Sequence, residues 1–167
     1  MNLFDPESHQ MEELFACFGY CLYRAQCLER TMAIAMTTIC GPGPDKITSA
    51  QYDRLLESHF SKTLGELINR IRATIPVSKE FKSALSGASK KRNWLVHKYF
   101  WERSVEFTTE DGRQSMICEL KEIAHLFEEI DSALTAIMRQ WGEKHGVTEE
   151  VIEKEMKRLK EDKKWSD

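Results

Sequence analysis

Residues 92–99 read Arg92-Asn93-Trp94-Leu95-Val96-His97-Lys98-Tyr99 and are preceded by Lys90-Lys91. Arginine is a permanent cation that grips phosphate through two parallel hydrogen bonds. Histidine exchanges a proton near neutral pH. Asparagine and tyrosine can orient both. The reaction that needs only these groups is RNA cleavage by the substrate's own 2′-hydroxyl, which spares the protein from supplying a nucleophile. His97 would be general base or acid. Arg92 would stabilise charge on the phosphorane. Asn93 would fix the imidazole or bind a phosphate oxygen. Tyr99 would hydrogen-bond the phosphate, and Lys91 and Lys98 would hold flanking phosphates. At about 100° per residue, Asn93 and His97 share one helix face, and Arg92 and Tyr99 nearly align. Arg92 and His97 diverge by roughly 140° and rise about 7.5 Å, so one helix makes only part of a cleft.

The octet resembles the signature of the HEPN superfamily: arginine, a polar residue, a few apolar residues, then histidine. The tyrosine two places after the histidine is similar to the variant of HepT-like toxins. The close match covers about ten residues. The resemblance implies an all-α fold, a homodimer with a composite site and metal-independent endoribonuclease activity. It also implies catalytic roles for Arg92, His97 and Asn93, with no metal and no cofactor. Its implied setting is a toxin or an anti-phage effector. If the likeness to HepT is close, a nucleotidyltransferase antitoxin would inhibit the protein by attaching AMP to Tyr99. A 33-residue-class first helix and a charged C-terminal extension depart from the narrow HepT pattern. Two other readings stay open: a non-catalytic HEPN scaffold that binds RNA or a partner protein, and a plain helical dimer in which the motif is coincidental.

The elements that would position the octet follow from periodicity. Asp5 can cap and Pro6 can open a first helix. Its seam runs Met11, Leu14, Phe18, Cys21, Ala25, Leu28, Met32, Ala35 and Ile39, in steps of three and four. Gly41-Pro42-Gly43-Pro44 stops it. Thr48 and Gln51 have capping-box spacing for a second helical region. Thr63-Leu64-Gly65 marks either a break near Phe60 or a close contact at Gly65, and Pro76 ends the region. Ser78 caps a third helix that carries the octet to about Trp101. Ser104 to Gly112 reads as a loop with a turn at Asp111-Gly112. A long helix from about Arg113 has the seam Met116, Leu120, Ile123, Phe127, Ile130, Leu134, Ile137 and Trp141. Thr148 can cap a final charged helix. The expected architecture is one all-α bundle of four or five helices over residues 1–146, with residues 147–167 as a charged extension.

Charge is distributed unevenly. The 167-residue chain carries a formal net charge of −3, which gives no global field for nucleic acid. Between Lys79 and Arg103, however, seven cations face two anions, a strip suited to phosphates. Five cysteines, mostly in the first helix, argue against a disulfide framework and for a reducing cytoplasm. No apolar run predicts a membrane span, and the acidic N-terminus does not suit a signal peptide. His9, His59, His125 and His145 read as surface or interhelical residues. Cys17 and Cys21 read as small buried hydrophobes. Trp94 and Trp101 suit either base stacking or packing.

Overall fold

The computed structural model describes residues 6–41, 46, 48–74 and 77–146, together with 150, 153 and 157. These residues are all-α, with six α-helices: α1 Pro6–Cys40, α2 Ser49–Phe60, α3 Leu64–Thr74, α4 Lys79–His97, α5 Tyr99–Glu102 and α6 Glu110–Lys144. Among the described residues, no helix is long and apolar enough to cross a membrane. The expected cap at Asp5, the stops at Pro42–Pro44 and Pro76, and the run of the final helix lie outside the described residues.

Two helices of 35 residues each, α1 and α6, form the spine. Each is about 52 Å long at 1.5 Å per residue. Their cross-links are in register and run in the same direction. Gln10 accepts from Arg113 Nε at 2.7 Å, Lys121 donates to Glu13 at 2.9 Å, and Tyr20 donates to Glu128 at 2.6 Å. Arg24 then pairs with Glu128 and Asp131. The partner numbers rise together, so the two helices are parallel. Buried along the seam of α1 are Leu14, Cys21, Ala25, Leu28, Met32 and Ala35. Near its C-terminal end the buried stripe widens to include Ala33, Met36 and Thr37, because α2 and α3 cover that end. On α6, Met116, Leu120, Ile123, Phe127, Ile130 and Leu134 are all buried. Each such aliphatic or aromatic side chain contributes about 1.5–3 kcal/mol. The Cys21 thiol is fully buried, and desolvation pushes its pKa up to about 12, the behaviour of an inert core residue.

The caps explain where the shorter helices start. Thr48 and Gln51 make a reciprocal capping box on α2. The chain does break after Phe60, and α3 restarts on a second box. There Glu66 accepts from the Thr63 N–H at 2.8 Å, and Thr63 Oγ1 accepts from the Glu66 N–H at 3.4 Å. Ser78 caps α4 by accepting from the Phe81 N–H. The expected loop and turn at Ser104–Gly112 are corrected. A 3-10 turn over Glu106–Thr108 leads straight into α6, which Thr109 caps by accepting from the Gly112 N–H. Gly112 is thus inside the first turn of α6. A Cβ there would lie 2.1 Å from the Glu106 carbonyl oxygen, so glycine serves close backbone approach and not a turn.

His59 ties three helices together. Thr37 Oγ1 donates to the Ala33 carbonyl, so the 2.9 Å contact with His59 Nδ1 requires that ring nitrogen to carry the proton. Nε2 then accepts from Arg70 Nη1 at 3.3 Å. Burial, and next Arg70 and Lys62, lower the His59 pKa.

Two predictions follow from this packing. Gly112→Ala should cost about 2 kcal/mol or more and lower the melting temperature by roughly 4–8 °C; an unchanged melting curve would mean that the Glu106 backbone yields freely. For His59, the unfolded chain binds the proton more readily than the fold does. Stability is therefore complete above about pH 6.5 and declines as the pH falls below it. Urea titrations between pH 7 and 5 should show this loss in the wild type and a flatter profile in His59→Gln; parallel profiles would remove His59 as the cause.

Candidate functional site

The octet straddles the end of α4. Buried Leu85, Ala88 and Leu95 face the core, and this stripe continues through Arg92, which lies four residues after Ala88 and three before Leu95. The spacing would send Arg92 into the interface with α1. A charge there needs a counter-charge, and Glu29 of α1 supplies it, with Oε1 2.9 Å from Arg92 Nε. Both side chains are about one-third exposed or less. Arg92 Nη1 also donates to Asn93 Oδ1 at 3.1 Å. The guanidinium thus has a carboxylate at ion-pair distance from Nε, with no hydrogen bond to Glu29 Oε1, and one hydrogen bond at Nη1. Glu29 is the residue that sequence reasoning missed. It lies 63 positions from Arg92, and no local spacing marks it.

His97 is the last residue of α4 and is exposed. Among the described residues no hydrogen bond or ion pair joins it to Arg92 or Asn93 within one chain. Asn93, Lys91 and Lys98 are exposed as well. The helix does not continue unbroken to Trp101 as expected. Lys98 adopts φ −135° and ψ −19°, and α5 begins at Tyr99.

Tyr99 corrects the sequence reading. It is 1% exposed, and its hydroxyl donates to the Met116 carbonyl at 3.2 Å. Its ring stacks on Phe18 at 5.8 Å and meets Trp94 edge-on at 5.0 Å. Burial, followed by the nearby Glu119 carboxylate, raises its hydroxyl pKa. In this fold Tyr99 is a core aromatic. It is not presented to a substrate phosphate or to an AMP-transferring enzyme. The signal was present in the sequence: Tyr99 lies seven residues after Arg92 and four after Leu95, on the stripe that packs inward.

Around Tyr99 stands a polar clamp. Trp94 Nε1 donates to Glu102 at 2.6 Å. Arg103 lies over the Trp94 ring at 5.1 Å and makes a two-pronged pair with Glu119 at 3.0 and 2.7 Å. The pairing with Glu119 further raises the Arg103 pKa. Lys90, Lys91, Trp94, Glu102, Arg103 and Glu119 line a shallow groove of about 370 Å³. A neighbouring cavity of about 430 Å³ is lined by Glu106, Glu119 and Glu122 beside Arg103, a poor lining for a polyanion. Neither includes Arg92 or His97. The basic strip is sharpened by these pairings. Carboxylates from α1 and α6 neutralise Arg92 and Arg103, while Lys90, Lys91 and Lys98 remain exposed.

No protein-family model, curated protein or solved structure matches the chain.

The Arg92–Glu29 pair makes a direct test possible. Glu29→Gln keeps the size and polarity of the side chain and removes the counter-charge. The variant should fold normally and bind a single-stranded oligoribonucleotide several-fold more tightly at low salt, since one further positive charge faces the phosphates. Unchanged or weaker binding in a filter assay would show that Arg92 does not face the polyanion.

Proposed function

We propose that this chain is a metal-independent endoribonuclease of the HEPN type, acting as a homodimer and serving as a toxin or an anti-phage effector. The observation that carries the reading is the arrangement at the end of α4. Arg92 is charge-paired with Glu29 and hydrogen-bonded to Asn93, and an exposed His97 closes the helix. The chemistry then runs as follows. His97 takes the proton from a ribose 2′-hydroxyl, and the oxygen attacks the adjacent phosphorus. Arg92 Nη2 neutralises the charge gathering on the phosphorane. The bond from phosphorus to the 5′-oxygen breaks, and that oxygen is protonated by an imidazolium. The products carry 2′,3′-cyclic phosphate and 5′-hydroxyl ends. Asn93 keeps the arginine aligned, and Lys91 and Lys98 hold neighbouring phosphates. Arg92 and His97 diverge around their helix, so a second copy supplies the opposing wall and the second imidazole.

The pairing of Arg92 with Glu29 favours a second reading, a non-catalytic HEPN scaffold for RNA or a protein partner, because part of the charge needed for phosphorane stabilisation is already satisfied. The burial of Tyr99 removes the ground for AMP-based regulation at that residue, so no antitoxin of that kind is part of the proposal.

The deciding experiment incubates purified protein with cellular RNA in EDTA. Wild type should give discrete fragments with 2′,3′-cyclic phosphate ends. His97→Ala should reduce the rate by about 10²-fold or more. Arg92→Ala should do the same while losing about 1 kcal/mol or less of stability. A folded, dimeric wild type that leaves RNA intact would move the assignment to the scaffold.

A further inference from the structure

We infer that Trp101 is a stacking platform for an unpaired base beside the cleaved phosphate; this inference rests on the endoribonuclease reading above. Trp101 is 85% exposed, more than any other large apolar side chain described. Exposing an indole to this degree forgoes a large burial gain, so the ring invites a ligand. Its support is firm. Within the same four-residue helix, Tyr99 is buried and Phe100 packs on Phe15, Phe18 and Phe107 at 4.8–6.0 Å. Two aromatic anchors therefore fix α5, and Trp101 is held out from a rigid base.

Of the two tryptophans suited to stacking, only Trp101 has its face open. Arg103 covers the ring of Trp94, and Tyr99 closes its edge. The Glu102 N–H bonds the Lys98 carbonyl at 2.9 Å, so Lys98 to Glu102 forms one helical turn. Trp101 accordingly stands about 5 Å along the axis from Lys98, with His97 just before it. A cation beside an open indole, with His97 adjacent, suits a phosphate, its base and the 2′-hydroxyl between them. Lysine is depleted from protein–protein interface cores, which favours nucleic acid over a protein partner. A base can lie on the indole only when it is unstacked from its neighbours. In-line attack by the 2′-hydroxyl also needs a nucleotide free of helical constraint. One substrate property, single-strandedness, meets both needs, and the larger purine face should bind better than a pyrimidine.

The test uses a 2′-O-methyl oligoadenylate of about ten residues, which lacks the nucleophile, alone and annealed to its complement. Wild type should bind the single strand with quenching of tryptophan fluorescence. Trp101→Ala should bind it about ten-fold more weakly, with duplex binding unchanged, and Trp101→Phe should recover most of the loss. In cleavage of unmodified RNA, Trp101→Ala should raise KM more than it lowers kcat. Equal single-strand binding by Trp101→Ala, with wild type still cutting RNA, would overturn the platform and leave the enzyme reading intact. A wild type that neither binds nor cuts would overturn both. Loss of the dimer in Trp101→Ala by sedimentation, with RNA affinity per folded chain retained, would reassign the residue to a protein contact and overturn the inference.

Discussion

Two parallel helices of equal length cannot be joined by a short turn. The chain that leaves α1 must travel the length of the molecule back before α6 can begin beside the start of α1. That constraint organises the rest. The return path is used for α2, α3, α4 and α5, and α4 must run antiparallel to both members of the spine. The end of α4 consequently arrives near the early turns of α1 and α6. There the aromatic residues Phe15, Phe18, Tyr99, Phe100 and Phe107 gather. The octet thus lies along the middle of α1, from Glu29 to Phe18, with its inner stripe leading into a dense apolar cluster and its outer face in water.

This placement divides the octet by orientation. Leu95 and Tyr99 serve packing, and Trp94 bridges to the Glu102–Arg103–Glu119 clamp. Asn93, His97 and Lys98 remain outside. Arg92 falls on the boundary, and its charge is tolerated there because Glu29 meets it. An arginine oriented by a carboxylate loses little further entropy when an anion arrives, at the cost of sharing its charge.

Much of the fold was legible in the residues because it rests on local rules. The seams of α1 and α6 and the capping residues Thr48 and Ser78 follow from spacing within a few turns; the break after Phe60 is one of two readings the residues leave open, and the Thr63–Glu66 box decides it. Errors arose where a distant segment overrode a local pattern. Asp111-Gly112 has turn composition, yet Thr109 caps α6 there and the glycine serves the close approach of the Glu106 backbone. Tyr99 was grouped with polar residues because of its hydroxyl and the motif, although its position on the Leu85–Ala88–Leu95 stripe pointed inward. The Arg92–Glu29 pair is not legible locally because the antiparallel register that sets α4 against α1 is a property of the whole chain. The basic strip was visible as composition, but its pairing with carboxylates from α1 and α6 was not.

The parallel spine also has an electrostatic consequence. Aligned peptide dipoles give each helix a partial positive charge of roughly half a unit at its N-terminus. In α1 and α6 these ends lie side by side, an unfavourable arrangement that an antiparallel pair would avoid. Glu110 and Asp111 in the first turn of α6, with the Gln10 side chain donating to the Glu110 carbonyl at 2.9 Å, supply the compensation. The acidic start of α6 is therefore a counter-charge for two helix ends at once. It offsets the attraction for anions that the two helix ends would otherwise exert at that end of the spine.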